Sequence, residues 1–439
     1  MGAVAVLLCA AGFAIVGLIK PTGSVDWRQS GQVILEQGSG AHFVLAGGLL
    51  HPVINEASAL LLAGADKTVT ASAAALDAAP RGDTLGIPGA PDSLPSGTNL
   101  LRPTVVTCSS ASPGQSPAAA PTSTVLVTES DYAKGMLADM NGLGPRGVLV
   151  QAAGSAPYLI AGGYRYQLSG EAVVVALGYL DQPVLPVARN WLDTLPAGRD
   201  LDLVAVPGAG GPGPAVGGTA TRVGQVLSAS GALGGATDYY LVRAGGLELI
   251  TQTEAVLVIG DTANAAAYPA ATPAVRQTSL AGVASAPQYP AGDDAAGYPA
   301  RVPAPADVAS GTTVVCAAGN GNSAASVAVG PALLLPTGAR VMPTGASSGA
   351  AVAGQVFVPP GSGALVTGPP APGSSRTVTY LITDEGVKFP VVNKAARQSL
   401  GYGAVTPVPV SAALLELLPT GPALDSAAAR AVVPVGSGG

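Results

Sequence analysis

The chain has 439 residues, with 20 Lys and Arg against 26 Asp and Glu, a net charge of −6 and only two histidines. A nucleic-acid partner needs a basic face, and no Lys/Arg cluster supplies one. Gly (60) and Pro (39) together approach a quarter of the residues, yet 48% are hydrophobic, so a packed core can form.

Gly2 to Ile19, "GAVAVLLCAAGFAIVGLI", are uncharged and mostly apolar. At about 1.5 Å rise per residue this run nearly spans a hydrocarbon core of roughly 30 Å. A signal peptide would carry a positive leading segment and a small-x-small site, and no Lys or Arg precedes Lys20. A membrane anchor over residues 1–20 is the favoured reading. The positive-inside rule wants cations before the span, whereas Lys20 follows it. The expectation is therefore that a basic cytoplasmic segment is missing and that the rest is exported. Trp27 suits either the interfacial aromatic belt or ordinary packing.

Four stretches then repeat one pattern. They are "FVLAGGLLHPVINEASALLLAG" (Phe43 to Gly64), "YLIAGGYRYQLSGEAVVVALGY" (Tyr158 to Tyr179), "YLVRAGGLELITQTEAVLVIG" (Tyr240 to Gly260) and "YLITDEGVKFPVVNKAARQSLGY" (Tyr380 to Tyr402). Taking Gly48, Gly163, Gly246 and Gly386 as the ends of the turns, Glu-Ala or Lys-Ala follows each at the same offset. Each stretch predicts a β-hairpin followed by a short helix, with glycine supplying positive φ at the turn. Asn55, Thr253 and Asn393 are placed to cap the helices. Lys394 departs from the glutamate that complements the helix dipole elsewhere. One unit is too small to bury its own apolar face, so neighbours must cover it.

The second and fourth stretches extend alike, to Leu195-Pro196 and Leu418-Pro419. Between the first and second lies "TVVTC", ending at Cys108; between the third and fourth lies "TTVVC", ending at Cys316. These two cysteines suit one disulfide in an oxidising compartment, the alternative being two separate buried thiols. Cys9 lies in the apolar span, and no CxxC spacing suggests zinc or redox chemistry.

The predicted fold is α+β. It has one N-terminal transmembrane helix, then an exported β-rich core with four hairpin-plus-helix repeat modules in two pseudo-symmetric halves. The segments are the anchor (1–20), repeat one (21–82), a first core segment with Cys108 (83–150), repeat two (151–205), and a Gly/Pro-rich linker opening the second half (206–235). Repeat three (236–282), a second core segment with Cys316 (283–376), repeat four (377–427) and a flexible tail (428–439) complete it. Surface loops are expected at 206–218, 109–123 and 284–305, where Gly, Ala and Pro dominate.

The stretches "LIKPTG", "GLLHPVINEASALLL", "DTLGIPGAP" (Asp83 to Pro91) and "LLPTGPALD" (Leu417 to Asp425), with their order and spacing, resemble the EccB family. EccB is the membrane-anchored component of type VII (ESX) secretion systems in actinobacteria. The resemblance implies one transmembrane helix and a periplasmic region with a central β-rich core, four flanking repeat domains and a disulfide. It also implies partners: the EccC ATPase, EccD, EccE and further copies of the chain, in the inner membrane. The family also has a basic cytoplasmic segment, which this reading expects to be missing here.

Enzyme motifs are weak. The EccB family is sometimes described as an ATPase, but a Walker A loop needs Gly-Lys-Ser/Thr, and no Gly-Lys dipeptide occurs. "GAGGPG" (Gly208 to Gly213) lacks the strand-to-helix context of a dinucleotide loop. "GASSG" around Ser347 mimics a nucleophile elbow, but the only histidines, His42 and His51, both lie in repeat one. His51 reads as a packing residue, in the place held by Tyr166 and Leu249. Asp293-Asp294 reads as a solvated loop pair. No catalytic, metal or cofactor site is expected. The function reading is a structural, non-catalytic subunit of a secretion complex; the alternatives are an ATPase and a cell-envelope-binding domain.

Overall fold

In the second repeat, Gly162 and Gly163 take φ 55° and 80°, and in the first Gly47 and Gly48 take 59° and 79°. These left-handed values suit a two-residue turn between right-twisted strands, and an L side chain adopts them only with strain. The computed structural model describes residues 26–111, 121–231, 236–269, 271–290, 297–333, 335, 341–345, 350–370 and 377–434. The apolar span at 2–19 lies outside them. Among the described residues no helix is long and apolar enough to cross a membrane.

The first unit runs β1 (Val33–Glu36), β2 (His42–Ala46), β3 (Leu49–Val53), α1 (Glu56–Ala63), β4 (Thr68–Ala71) and α2 (Ala73–Asp77). Its sheet has the order β3-β2-β1-β4, with β4 parallel to β1. The connector brings β5 (Leu100–Leu101), β6 (Thr104–Ser110), β7 (Thr122–Thr128), α3 (Ser130–Ala138) and β8 (Asn141–Gly142). The second unit is β9 (Gly147–Ala152), β10 (Tyr158–Ala161), β11 (Tyr164–Gln167), α4 (Glu171–Ala176), β12 (Val184–Val187) and α5 (Arg189–Asp193). The third is β13 (Val226–Ser230), β14 (Thr237–Arg243), β15 (Gly246–Ile250), α6 (Gln252–Gly260), β16 (Arg276–Gln277) and α7 (Leu280–Ala284). A second connector carries β17 (Val314–Gly319), β18 (Ser326–Gly330), β19 (Met342–Pro343) and β20 (Gln355–Phe357). The fourth unit is β21 (Gly363–Thr367), β22 (Thr379–Ile382), β23 (Lys388–Val391), α8 (Lys394–Ser399), β24 (Val408–Pro409) and α9 (Ala412–Glu416).

The strand orders are β11-β10-β9-β12, β15-β14-β13-β16 and β23-β22-β21-β24, each repeating that of the first sheet. Each hairpin therefore recruits a strand before it and a parallel strand after its helix. Sequence boundaries shift accordingly. β9 belongs to the second sheet although residues 83–150 are expected as core segment, and β21 belongs to the fourth although 283–376 are. Both are continuous apolar runs, and an apolar run does not reveal locally which sheet it joins.

The chain returns along β3, β11, β15 and β23 by a common device. After the second helix of each unit comes a proline, Pro80, Pro196, Pro287 or Pro419. Its carbonyl accepts from the N–H of Leu50, Arg165, Leu247 or Lys388 at 2.8, 3.0, 2.8 and 2.9 Å. Proline has no N–H to leave unpaired, so it suits the edge of a sheet. Only two of these four prolines stand out in the sequence, because Ala79 and Ala286 replace the preceding leucine.

β6, β7, β8 and β17 to β20 form one central sheet in the order β19-β20-β7-β6-β17-β18-β8. Its alternating side chains split between two faces, as the strand period requires. Val106, Cys108, Leu126, Cys316 and Ala328 face Ala133 and Met136 of α3. On the other face, Val315, Ala317 and Val329 pack against Trp191 and Leu192 of the second unit. Val105, Val125 and Val127 there pack against Ile382 and Leu414 of the fourth.

Units one and three share cores with the units that pack on the sheet. Leu60 and Leu61 of α1 share a core with Ala396 and Leu400 of the fourth unit. Leu257 of α6 is buried with Val173 and Leu177 of the second. Gly260 lets α6 lie close to α4: a Cβ there would stand 2.9 Å from that of Ala176. The packing order is one, four, central sheet, two, three, so helix pairing crosses between the two halves of the sequence.

Two expected loose segments are folded. The Gly/Pro-rich run opening at Val206 doubles back as a hairpin, with Pro212 bridged to Arg222 and Val216 to Thr219. Val216 is buried against Val283 and Ala286. The tail at 428–434 is likewise docked: Ala429 is fully buried, and Val433 N–H donates to the Thr84 carbonyl at 2.9 Å. The insertion gains its order from burial against the unit that follows it, and the tail from contacts with the first unit, remote in sequence.

Candidate functional site: the disulfide-bonded sheet and the faces packed on it

β6 and β17 are antiparallel neighbours with Cys108 directly opposite Cys316. The two are bonded, with Cα atoms 4.0 Å apart and a sequence separation of 208, and both are fully buried. Antiparallel pairing sets directly opposed residues close together, so the ladder brings the two sulfurs within reach of each other. Ser109, beside it on β6, is buried and accepts from the Ala188 N–H at 2.8 Å, tying the strand before α5 to the sheet. Trp191, the largest fully buried side chain, donates Nε1–H to the Thr107 carbonyl at 3.0 Å. Among the second unit's ties to the sheet, this one joins both an apolar and a polar contact.

The turn glycines have different tasks. A Cβ on Gly163 would meet the Ala325 carbonyl oxygen at 2.3 Å, and one on Gly386 would meet Val356 at 2.9 Å. The hairpins of units two and four thus dock tip-first on the central sheet, where a side chain would prise them off. A Cβ on Gly48 would meet nothing within 4 Å among the described residues. Gly246 is not in its turn. It opens β15 opposite Arg243, and the turn itself is Ala244-Gly245. The Ala-Gly-Gly spelling of the third repeat misleads alignment by one residue.

That slip carries further. Glu248, not Leu249, stands in register with His51, Tyr166 and Phe389, and it is buried against the Arg243 guanidinium, Nε donating at 2.5 Å. The helix also starts earlier: Thr251 caps it by accepting from the Glu254 N–H at 3.0 Å. Thr253, expected as the cap, is buried inside α6. Asn55 and Asn393 cap α1 and α8 as expected, accepting from Ser58 and Ala396.

His51, Tyr166 and Phe389 lie over the backbone of Gly82, Gly198 and Gly421. A Cβ on those glycines would fall 2.3, 2.1 and 2.2 Å from ring atoms. His51 Nδ1 also meets the Asp83 carbonyl at 2.9 Å. The histidine is a packing and hydrogen-bonding group of the first unit. Ser347 and Asp293-Asp294 lie outside the described residues. Among the described residues no group of three or more His, Cys, Asp or Glu could hold a metal.

Perturbed groups are structural too. Tyr179 and Tyr402 are fully buried, and burial pushes both hydroxyls far above the usual phenol range. The Tyr402 shift is reinforced by Glu56. Lys388 is buried, and desolvation lowers its pKa while Glu416 opposes the shift. Its ammonium donates to the Leu418 carbonyl beyond the end of α9. In the second unit the residue in register is Arg165, which reaches the Leu192 carbonyl at 3.2 Å and pairs with Asp193. A cation from the hairpin thus meets the carbonyl end of the second helix in both units, where a helix favours positive charge.

The polar groups described either brace a single unit, as Lys388, Arg165 and the helix caps do, or join a unit to the sheet, as Trp191 and Ser109 do. Such an arrangement defines a scaffold protein of α+β class, built from sheet-and-helix units on a disulfide-bonded core. The family described as "Type VII secretion system ESX-1, transport TM domain B" matches residues 1–434. The chain belongs to that family, EccB. It is 30% identical over 446 residues to the ESX-2 secretion system ATPase EccB2 of Mycobacterium tuberculosis (strain H37Rv), covering 97% of this chain and 86% of the relative. Its fold is similar to a chain of an intact ESX-5 inner membrane complex, with TM-score 0.70, 25% identity and coverage of 99% and 87%. It is also similar to a chain of the periplasmic assembly from the ESX-5 inner membrane complex, with TM-score 0.65, 26% identity and coverage of 95% and 99%.

Proposed function

We infer that this chain is a structural, non-catalytic subunit of a type VII secretion complex in the inner membrane. A single N-terminal span anchors it, and its β-rich body lies on the periplasmic side, mediating oligomeric assembly. The observation that carries this reading is the family match over residues 1–434. The partners are the EccC ATPase, EccD, EccE and further copies of the chain. The body is read as four copies of one module in two halves related by a pseudo-two-fold axis near the Cys108–Cys316 bond. The repeated strand order and the paired tethers of units two and four support that symmetry. A bond fully buried at the axis suits an oxidising compartment, where it persists.

The relatives' names include the word ATPase, but phosphate binding by a Walker loop requires the Gly-Lys that this chain lacks. The test is purification of the tagged full-length protein from its native membrane in mild detergent, with mass spectrometry of what stays bound. Recovery of EccC and EccD in one large complex, with ATP hydrolysis that leaves when EccC is removed, is expected. A monodisperse chain that hydrolyses ATP alone overturns the reading.

A further inference from the structure

The hairpin formed by the Gly/Pro-rich insertion does more than cover the third unit. It forms one wall of a cavity of about 540 Å³, between Pro212, Thr221 and Arg222 on that hairpin and Gln225, Tyr268 and Arg276 on the unit itself. Two guanidinium groups line it, and no carboxylate does. Four other arginines pair with acids, Arg81, Arg165, Arg189 and Arg243. Among the described residues neither Arg222 nor Arg276 has such a partner. Both side chains are exposed, so water screens their mutual repulsion, and an anion entering the hollow from solvent meets two positive charges.

The two are also held in place. Gln225 is buried, and its amide donates to the Ala267 carbonyl at 2.9 Å. The same side chain accepts from Arg276 Nη1 and from the Arg222 N–H, both at 3.1 Å. Arg222 Nη1 donates to the Gly210 carbonyl at 2.7 Å, so each guanidinium spends one nitrogen on anchoring and keeps the rest of its fork. The buried Tyr268 hydroxyl accepts from the Val226 N–H at 2.8 Å, leaving its own proton for another acceptor. Planar forks held by a buried amide, as in Arg276, and by a backbone carbonyl, as in Arg222, suit bidentate contact with oxyanions.

We propose that this cavity binds a phosphoryl dianion, the two guanidinium groups of Arg222 and Arg276 clasping its oxygens beside Tyr268. Phosphate chemistry is favoured over a carboxylate because two fixed cations match two negative charges. The phosphoryl group can belong to a soluble phosphate ester or to a lipid headgroup. The site stands apart from the assembly reading and survives its failure.

The test is calorimetric titration of the full-length protein in detergent with inorganic pyrophosphate, with dihexanoyl phosphatidate and with acetate. Saturable binding of either phosphoryl probe is expected, the tighter one naming the source. Arg276→Gln, on an exposed edge strand, should weaken it about tenfold, which is one guanidinium–phosphate contact. Arg276→Lys should retain part of it, and the thermal melt of both variants should match the parent. No saturable binding, acetate binding as tightly as pyrophosphate, or undiminished affinity in Arg276→Gln would overturn the proposal.

Discussion

Tyr402 donates its hydroxyl to the carbonyl of Pro95 at 2.7 Å, joining the fourth unit to the chain leaving the first across 307 residues. Tyr179 does the same to Pro303 at 2.8 Å, joining the second unit to the chain leaving the third. Each tyrosine follows the Leu-Gly that ends its unit's first helix, and each fixes a connector on its way to the central sheet. Tyr402→Phe or Tyr179→Phe leaves a buried carbonyl without its donor, at a cost of about 1–3 kcal/mol. Chemical denaturation should read that loss in each variant, with an unchanged m-value.

Their acidity has a signed consequence. Both hydroxyls titrate above their unfolded value of about 10. Their contribution is therefore complete below pH ~10 and is lost as pH rises from there through the folded value. Melting temperature should fall more steeply above that point in the parent than in the double Tyr-to-Phe variant. Equal alkaline slopes would count against the burial of these groups.

The ring-over-glycine contacts predict a paired effect. Gly421→Ala forces its new methyl into the Phe389 ring and should destabilise the fold by about 1–3 kcal/mol. Adding Phe389→Leu should recover part of that loss, so a double-mutant cycle should show coupling. Gly48→Ala has open space at its Cβ; its cost is the strain of φ 79° alone.

Cys108→Ala with Cys316→Ala should lower stability by roughly 2–5 kcal/mol, the range for closing a long loop. The parent should resist reduction until it is denatured, because both sulfur-bearing residues are fully buried. Thiol labelling with and without denaturant measures this directly.

Deleting residues 428–434 removes buried Ala429 and the bonds from Gly86 N–H to Ala431 and from Val433 N–H to Thr84. Amide exchange should quicken at Thr84 to Ile87 while the third unit keeps its protection. Unchanged protection at Gly86 would mean the tail does not hold that edge.

The recurring hairpin is legible in the sequence because Gly-Gly turns and helix caps are local signals. Pairing across the halves is not, since Leu60 and Ala396 read as ordinary apolar helix residues until one sees them meet. The register of the third unit hides behind Arg-Ala-Gly-Gly, which offers two glycines where the turn uses only the first. The insertion reads as linker by composition, yet Val216 finds a core to enter. Arg222 and Arg276, far apart in sequence and lacking any motif, give no sequence signal of a shared cavity.

The order of packing also sets an order of events. Units two and three follow one another in the chain, so α4 can meet α6 as soon as both units have been made. The first unit must wait for α8, and then for Val433 to reach Thr84. Assembly therefore proceeds outward from the middle, and what emerges first is finished last. Until then the Thr84 carbonyl and the Gly86 N–H lack the partners that Val433 and Ala431 bring to them.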